Sequence, residues 1–257
     1  MSLDGERFFR TGYQVIPAEH PELIVELRRE LVSKAKSLIK DADAEPDDAK
    51  FLDGFQRYNL VGAPLNDVRL ELIRYCTNEL AAGCVVRDAF AGTLLQLIGP
   101  DVVMQKTVNL VVHQPGDADV VPTHRDTPLH SPFEIVVWLP LVDVFGTKSM
   151  YLLDRDETQT ALQSYEDQDK GYRAVDAFAA QQGTNLEVPF GSACFFWPGL
   201  IHGCHINRET ETRWSFNIRY KNLFSPYGSK GIGSYFKLDR LSALARLGLE
   251  TERDHSP

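Results

Sequence analysis

The sequence predicts a mainly β fold with flanking helices, a β-sandwich or jelly roll packed against an N-terminal helical buttress. Three observations predict it. Residues 21–40 carry one apolar stripe at helical spacing, residues 213–221 alternate polar and apolar side chains, and short apolar runs bounded by Pro and Gly lie between them. Hydrophobic residues make up 43% of the 257 and charged residues 25%, which suits a packed globular core. All-β barrels commonly reach about 250 residues as one unit, so residues 1–257 are expected to form a single domain.

Taken in order, Leu23, Ile24, Leu27, Leu31, Ala35, Leu38 and Ile39 recur at intervals of three and four, which makes one helix face. An acidic loop with Pro46 follows over residues 41–53, and a second helical stretch spans 67–98, broken near Asn78 or Gly83. These complete a mainly helical buttress over residues 1–100. The jelly-roll core is expected at 102–221. In 105–113, Gln105, Thr107, Asn109 and His113 point one way, with Val108, Leu110 and Val112 opposite. Further strands are expected at 135–139, 149–153, 186–189 and 193–197. In the last strand Arg213, Ser215, Asn217, Arg219 and Lys221 share one face, opposite Trp214, Phe216, Ile218 and Tyr220. A polar insertion at 154–185, with a helix near 174–182, and a Gly/Ser-rich stretch at 222–236 are each either surface elaborations or a lid. A short helix near 238–247 closes the chain. Trp138, Trp197 and Trp214 are expected in the core.

The formal net charge of −9 disfavours nucleic acid as a partner. No apolar run approaches the roughly 20 residues that span a bilayer, and the first six residues lack the basic-then-apolar pattern of a secretory signal. Cys76, Cys84, Cys194 and Cys204 form no CxxC pair, which suggests reduced thiols and a cytoplasmic location. Oligomeric state leaves no signature in the sequence.

The chemistry sits in Pro122-Thr123-His124-Arg125-Asp126. Seven His and twenty Asp give about 0.5 His-x-Asp triplets by chance, so the triplet alone is weak. Alternate residues of an extended segment share a face, however, so His124 and Asp126 can grip one ion. A third ligand from a distant strand end would complete a two-His, one-carboxylate facial triad with three open positions, the arrangement of non-haem Fe(II). His202, in Trp197-Pro198-Gly199-Leu200-Ile201-His202-Gly203, is preferred to His205. His130 is expected to be an exposed loop residue. Beyond His202 comes a buried guanidinium suited to a carboxylate, with Arg213 preferred to Arg219. Ser215 shares its face. The polar face of Gln105, Thr107 and Asn109 meets either solvent or a ligand.

These motifs resemble the Fe(II)/2-oxoglutarate-dependent dioxygenases of the phytanoyl-CoA dioxygenase type, over most of the chain. Phe9-Arg10-Thr11-Gly12-Tyr13-Gln14-Val15-Ile16-Pro17 resembles the family's opening segment. Val112-His113-Gln114-Pro115-Gly116 and His124-Arg125-Asp126 resemble its Lys-x-Pro-Gly and His-x-Asp stretches, and His202-Gly203-Cys204 through Arg213 its distal His-Gly-Ser and Arg segment. His113 stands where many members carry Lys, and Cys204 replaces the usual Ser. The resemblance implies a double-stranded β-helix with Fe(II) on His124, Asp126 and His202. It also implies 2-oxoglutarate on Arg213, with Ser215, His113, Asn109 and Cys204 around it. Arg219, Gln105 and Asn217 are assigned to the substrate. The implied reaction uses O2 to oxidise a small molecule and releases succinate and CO2. Length and the tail Asn222-Leu223-Phe224-Ser225-Pro226-Tyr227 are similar to oxygenases of carbohydrate or natural-product pathways. Two rivals remain at this stage: a cupin-like metal-dependent isomerase, epimerase or hydrolase that needs no 2-oxoglutarate, and a non-catalytic β-sandwich binding module that holds no metal.

Overall fold

The structure is a computed structural model describing residues 2–40, 42, 45–166 and 172–254. Helix α1 (Gly5–Thr11) leads into strand β1 (Tyr13–Pro17), followed by helices α2 (Pro21–Leu38), α3 (Asp48–Asp53), α4 (Gly62–Asn78), α5 (Ala82–Ala89) and α6 (Ala91–Ile98). Strands β2 (Val102–Gln105), β3 (Asn109–His113), β4 (Glu134–Pro140) and β5 (Met150–Leu152) come next. Helices α7 (Arg155–Glu166) and α8 (Tyr172–Gln182) precede β6 (Thr184–Asn185), β7 (Ser192–Phe196), β8 (His202–Cys204) and β9 (Arg213–Asn222). Strand β10 (Phe236–Arg240) and helix α9 (Ala243–Asp254) complete the described chain.

The architecture is mixed helix and antiparallel sheet, which corrects the mainly β expectation: helices hold more described residues than strands. One sheet runs β1-β7-β4-β9-β2-β10, with β3 also paired to β9, and a smaller one runs β6-β5-β8. Strand β9 is central. It pairs with β4 along one edge and with β3 and then β2 along the other.

The apolar face of β9 packs outward on the helices. Trp214 meets the Phe55 ring edge-on at 4.8 Å and donates to the Leu52 carbonyl, and the Tyr220 hydroxyl donates to the Gly83 carbonyl at 2.7 Å. Ile24, Leu27, Leu31 and Ala35 of α2, all buried, extend the same core. The alternate, polar face of β9 therefore turns into the space between the sheets.

Four local expectations change. Residues 105–113 form two strands, because the chain bends at Lys106 and Thr107. The 67–98 stretch is three helices, interrupted at 79–81 and at Phe90. Residues 186–189 make only an isolated bridge, Val188 to Val144, since no neighbouring strand continues the pairing. Residues 236–240 are a strand on β2, with the last helix starting at Ala243: Phe236 is buried in a small core with Val103 and Leu223, while Leu238 is exposed. Part of the 154–185 insertion, residues 167–171, lies outside the described residues. Its described helices pack on Tyr151, Leu153 and Ile201.

Candidate metal centre

His124 and His202 face each other as an antiparallel pair, their backbones exchanging hydrogen bonds at 2.9 Å in both directions. Paired residues project to the same side, so the two rings meet with centroids 4.2 Å apart. Two residues on, the Asp126 backbone N–H is held by the Pro198 carbonyl at 3.0 Å, which keeps its carboxyl on that side. One ligand atom from each of His124, Asp126 and His202 lies within 4.8 Å of the others. The approach is close: a Cβ on Gly203 would sit 2.5 Å from the Tyr151 hydroxyl and 3.1 Å from the Thr123 Cα, so only glycine fits beside His202.

The orientation of the imidazoles would leave each free to hold a metal ion. His124 Nδ1 lies 2.8 Å from the Pro122 carbonyl and His202 Nδ1 3.0 Å from the Leu200 carbonyl. A carbonyl accepts and cannot donate, so each Nδ1 carries the proton and each Nε2 keeps its lone pair for a cation. Burial, helped by neighbouring His124, pushes the His202 pKa down to about 4, so its ring is neutral at pH 7. Burial works against the charge on Asp126, yet Arg219 and then His202 hold it below the usual carboxylate range.

A cavity of about 140 Å³ opens from the three residues. Asn109, Trp138, Cys204, Arg213, Asn217 and Arg219 line it with them. Arg213 is buried (2% exposed); Nη1 donates to the Lys148 carbonyl at 3.1 Å and Nη2 to Cys204 Sγ at 3.4 Å. Its guanidinium stands 5.7 Å from the Trp138 ring centroid, so that tryptophan is a cavity wall as well as core. Lys148 is itself fixed: its buried ammonium bonds Asp53 and Glu211, both at 2.7 Å. Several buried polar atoms on this face have no protein hydrogen-bond partner among the described residues: Arg213 Nε, Ser215 Oγ, Asn217 Oδ1, Arg219 Nε and both ring nitrogens of His113. Such groups are costly to leave unpaired, and of them the guanidinium N–H groups of Arg213 and Arg219 line the cavity and suit a small anionic ligand. The donor set of two imidazoles and one carboxylate fits non-haem iron.

The remaining sequence assignments divide. His113 is buried beside Arg213, its partner in the β3–β9 register, and burial followed by the Arg213 charge pushes its pKa down to about 4. His113 and Ser215 are not in the cavity lining. Gln105 is also outside the lining, because its amide is used within the protein, accepting from the Arg219 backbone N–H and donating to the Thr107 carbonyl. Arg219 lines the cavity, and its Nη2 ion-pairs with Asp126 Oδ2 at 2.7 Å. His205 follows the end of β8 and its ring lies 4.6 Å from that of Tyr151, away from the ligand cluster. His130 is tucked against Glu134 at 2.8 Å rather than exposed. Sequence reasoning missed Asp176, which reaches from α8 to the Thr123 hydroxyl next to His124, and Lys148, a buried lysine no local pattern marks.

A larger opening of about 480 Å³ adjoins the cavity, sharing Asn109, Val111 and Val121 with it. Leu65, Asn66 and Arg69 of α4 form one side and Asp117 and Asp119 the other.

No protein-family model matches the chain, and no curated protein does. Solved structures do. A nickel complex of the non-haem monooxygenase ThoJ aligns over 97% of this chain and 94% of its own at 16% identity, TM-score 0.52. The non-haem α-ketoglutarate-dependent carbocyclase SnoK from nogalamycin biosynthesis aligns over 90% and 88% at 16% identity, TM-score 0.55. HygX from Streptomyces hygroscopicus, with nickel and 2-oxoglutarate bound, aligns over 96% and 94% at 12% identity, TM-score 0.50. The chain shares their fold. The structures it resembles are thus non-haem metal enzymes, several of them 2-oxoglutarate-dependent. Among the described residues no helix is long and apolar enough to cross a membrane.

Proposed function

We propose that the chain is an Fe(II)- and 2-oxoglutarate-dependent oxygenase of the phytanoyl-CoA dioxygenase type, a single domain around a double-stranded β-helix. It oxidises a small molecule in the cytoplasm and releases succinate and CO2. The observation that carries the reading is the convergence of His124, Asp126 and His202 on a cavity that also holds the buried Arg213 guanidinium. A metal hydrolase or isomerase has no need of that second feature.

In this reading His124 and His202 bind the metal through Nε2 and Asp126 through one carboxylate oxygen. When bound, Fe(II) with 2-oxoglutarate and O2 supplies the oxidising power, which no side chain can provide. Arg213 receives the distal carboxylate of the co-substrate, because its Nε is unpaired and Lys148 and Trp138 fix its plane. Cys204 and Asn217 complete that wall, with His113 and Ser215 outside the lining. Neutral His113 adds no charge, so Arg213 supplies the cation that a Lys at position 113 would otherwise share. The wider opening between α4 and residues 117–122 gives the substrate its approach, with polar groups on both sides and Asn109 at the junction.

The test is anaerobic loading with Fe(II) followed by 2-oxoglutarate and air, with succinate measured against time. Succinate release that needs iron and disappears in Asp126→Ala supports the reading. Turnover of a substrate without 2-oxoglutarate would favour the metal-dependent isomerase or hydrolase. Failure of the folded protein to take up any stoichiometric metal would favour a binding module.

A further inference from the structure

The Asp126 carboxylate has two oxygens with different surroundings. Oδ1 lies 3.9 Å from His124 Nε2. Oδ2 forms an ion pair with Arg219 Nη2 at 2.7 Å, without an aligned hydrogen bond. Arg219 is itself anchored: Nη1 donates to the Tyr235 hydroxyl at 3.4 Å, and its backbone N–H is held by Gln105. The Tyr235 ring packs on His130, which is bonded to the buried Glu134. Both members of the Arg219–Asp126 pair are about nine-tenths buried. Separating them would strand an unpaired guanidinium out of water, which is far costlier than keeping them together.

From this geometry we propose that Arg219 is a positioning residue that makes Asp126 a one-oxygen ligand. It rests on the metal reading above and adds a reason why the site keeps its open positions. A carboxylate free at both oxygens can chelate a divalent ion and take two positions. Arg219 withholds Oδ2, so the metal receives Oδ1 alone and the positions needed by a bidentate co-substrate stay open. The same guanidinium withdraws electron density from the ligand and adds positive charge beside the metal. The bare site is thereby a weaker metal binder but a better receiver of a dianion.

Opposite movements of two affinities test this. Ni(II) titration into the metal-free full chain, then 2-oxoglutarate titration into the Ni(II)-loaded protein, are followed by calorimetry for wild type, Arg219→Met and Arg219→Lys. Arg219→Met is expected to keep or raise Ni(II) affinity while weakening 2-oxoglutarate about tenfold or more, within the range for outer partners of metal ligands. Arg219→Lys, whose ammonium still reaches Oδ2, is expected to restore most of the 2-oxoglutarate affinity. Equal losses in both affinities, or no change in either, would overturn the proposal, since a merely structural arginine cannot move them apart. If Arg219→Met does not fold, Tyr235→Phe loosens the same guanidinium and is expected to give the same divergence in smaller measure; parallel losses there count against the role equally. Ni(II) binding at one equivalent that survives Asp126→Ala would instead remove the metal assignment itself, and the role of Arg219 with it.

Discussion

His113 gives the sharpest stability prediction, because it is 3% exposed and neither ring nitrogen has a hydrogen-bond partner among the described residues. Its pKa lies at about 4 in the folded chain against an ordinary 6.5, burial being the main cause and the Arg213 charge the second. The unfolded chain thus takes up a proton through the window from pH 6.5 to about 4 while the folded chain does not, and stability falls as pH falls. At about 1.4 kcal/mol per unit, the whole gap is worth about 3 kcal/mol, of which about 2 kcal/mol is lost between pH 7 and 5. With a urea slope of about 2 kcal/mol/M, that lowers the midpoint by about 1 M. His202 titrates in the same direction in metal-free protein, so the quantity to compare is the difference between wild type and His113→Gln. Urea unfolding at both pH values should show the variant losing about 2 kcal/mol less than wild type. An equal loss in both would refute the assignment of a neutral, buried imidazole at 113.

Three other outcomes are expected. Arg213→Gln should weaken 2-oxoglutarate by about 10–100-fold, the worth of a charge-assisted pair, while Ni(II) binding measured by calorimetry stays intact. Ni(II) at a hundredfold excess over its dissociation constant should raise unfolding free energy by about 2.7 kcal/mol in wild type, and His202→Ala should show no such gain in a thermal melt. Lys148→Met should cost about 2 kcal/mol in urea unfolding, because Asp53 and Glu211 lose their shared cation, and should weaken 2-oxoglutarate through the looser Arg213.

Much of the candidate site was legible because its residues follow a local rule: alternate residues of an extended strand share a face, which joins His124 to Asp126 and Arg213 to Arg219. The partition of β9 into two faces was equally legible. Its orientation followed from assigning Arg213 to a ligand and Trp214 to the core rather than from the alternation. A polar face ordinarily meets solvent, and here the apolar face is covered by α3 and α5. The choice of His202 over His205 rested on Pro198-Gly199 as a turn and on the spacing to Arg213; His202 opens β8 and His205 lies just past its end. The pairing of Arg219 with Asp126 was beyond sequence reach, because the contact is made across the fold and carries no spacing signal. The run at 186–189 failed for the opposite reason: its composition suits a strand, but pairing needs a neighbour that only the tertiary arrangement supplies.

The most direct test of the centre is optical. Anaerobic addition of 2-oxoglutarate to the Fe(II)-loaded protein should produce a weak visible charge-transfer band that needs both components, saturates at one equivalent of iron and vanishes in Asp126→Ala. A folded, iron-loaded protein that stays colourless across that titration would contradict the assignment of His124, Asp126 and His202 as an open facial triad.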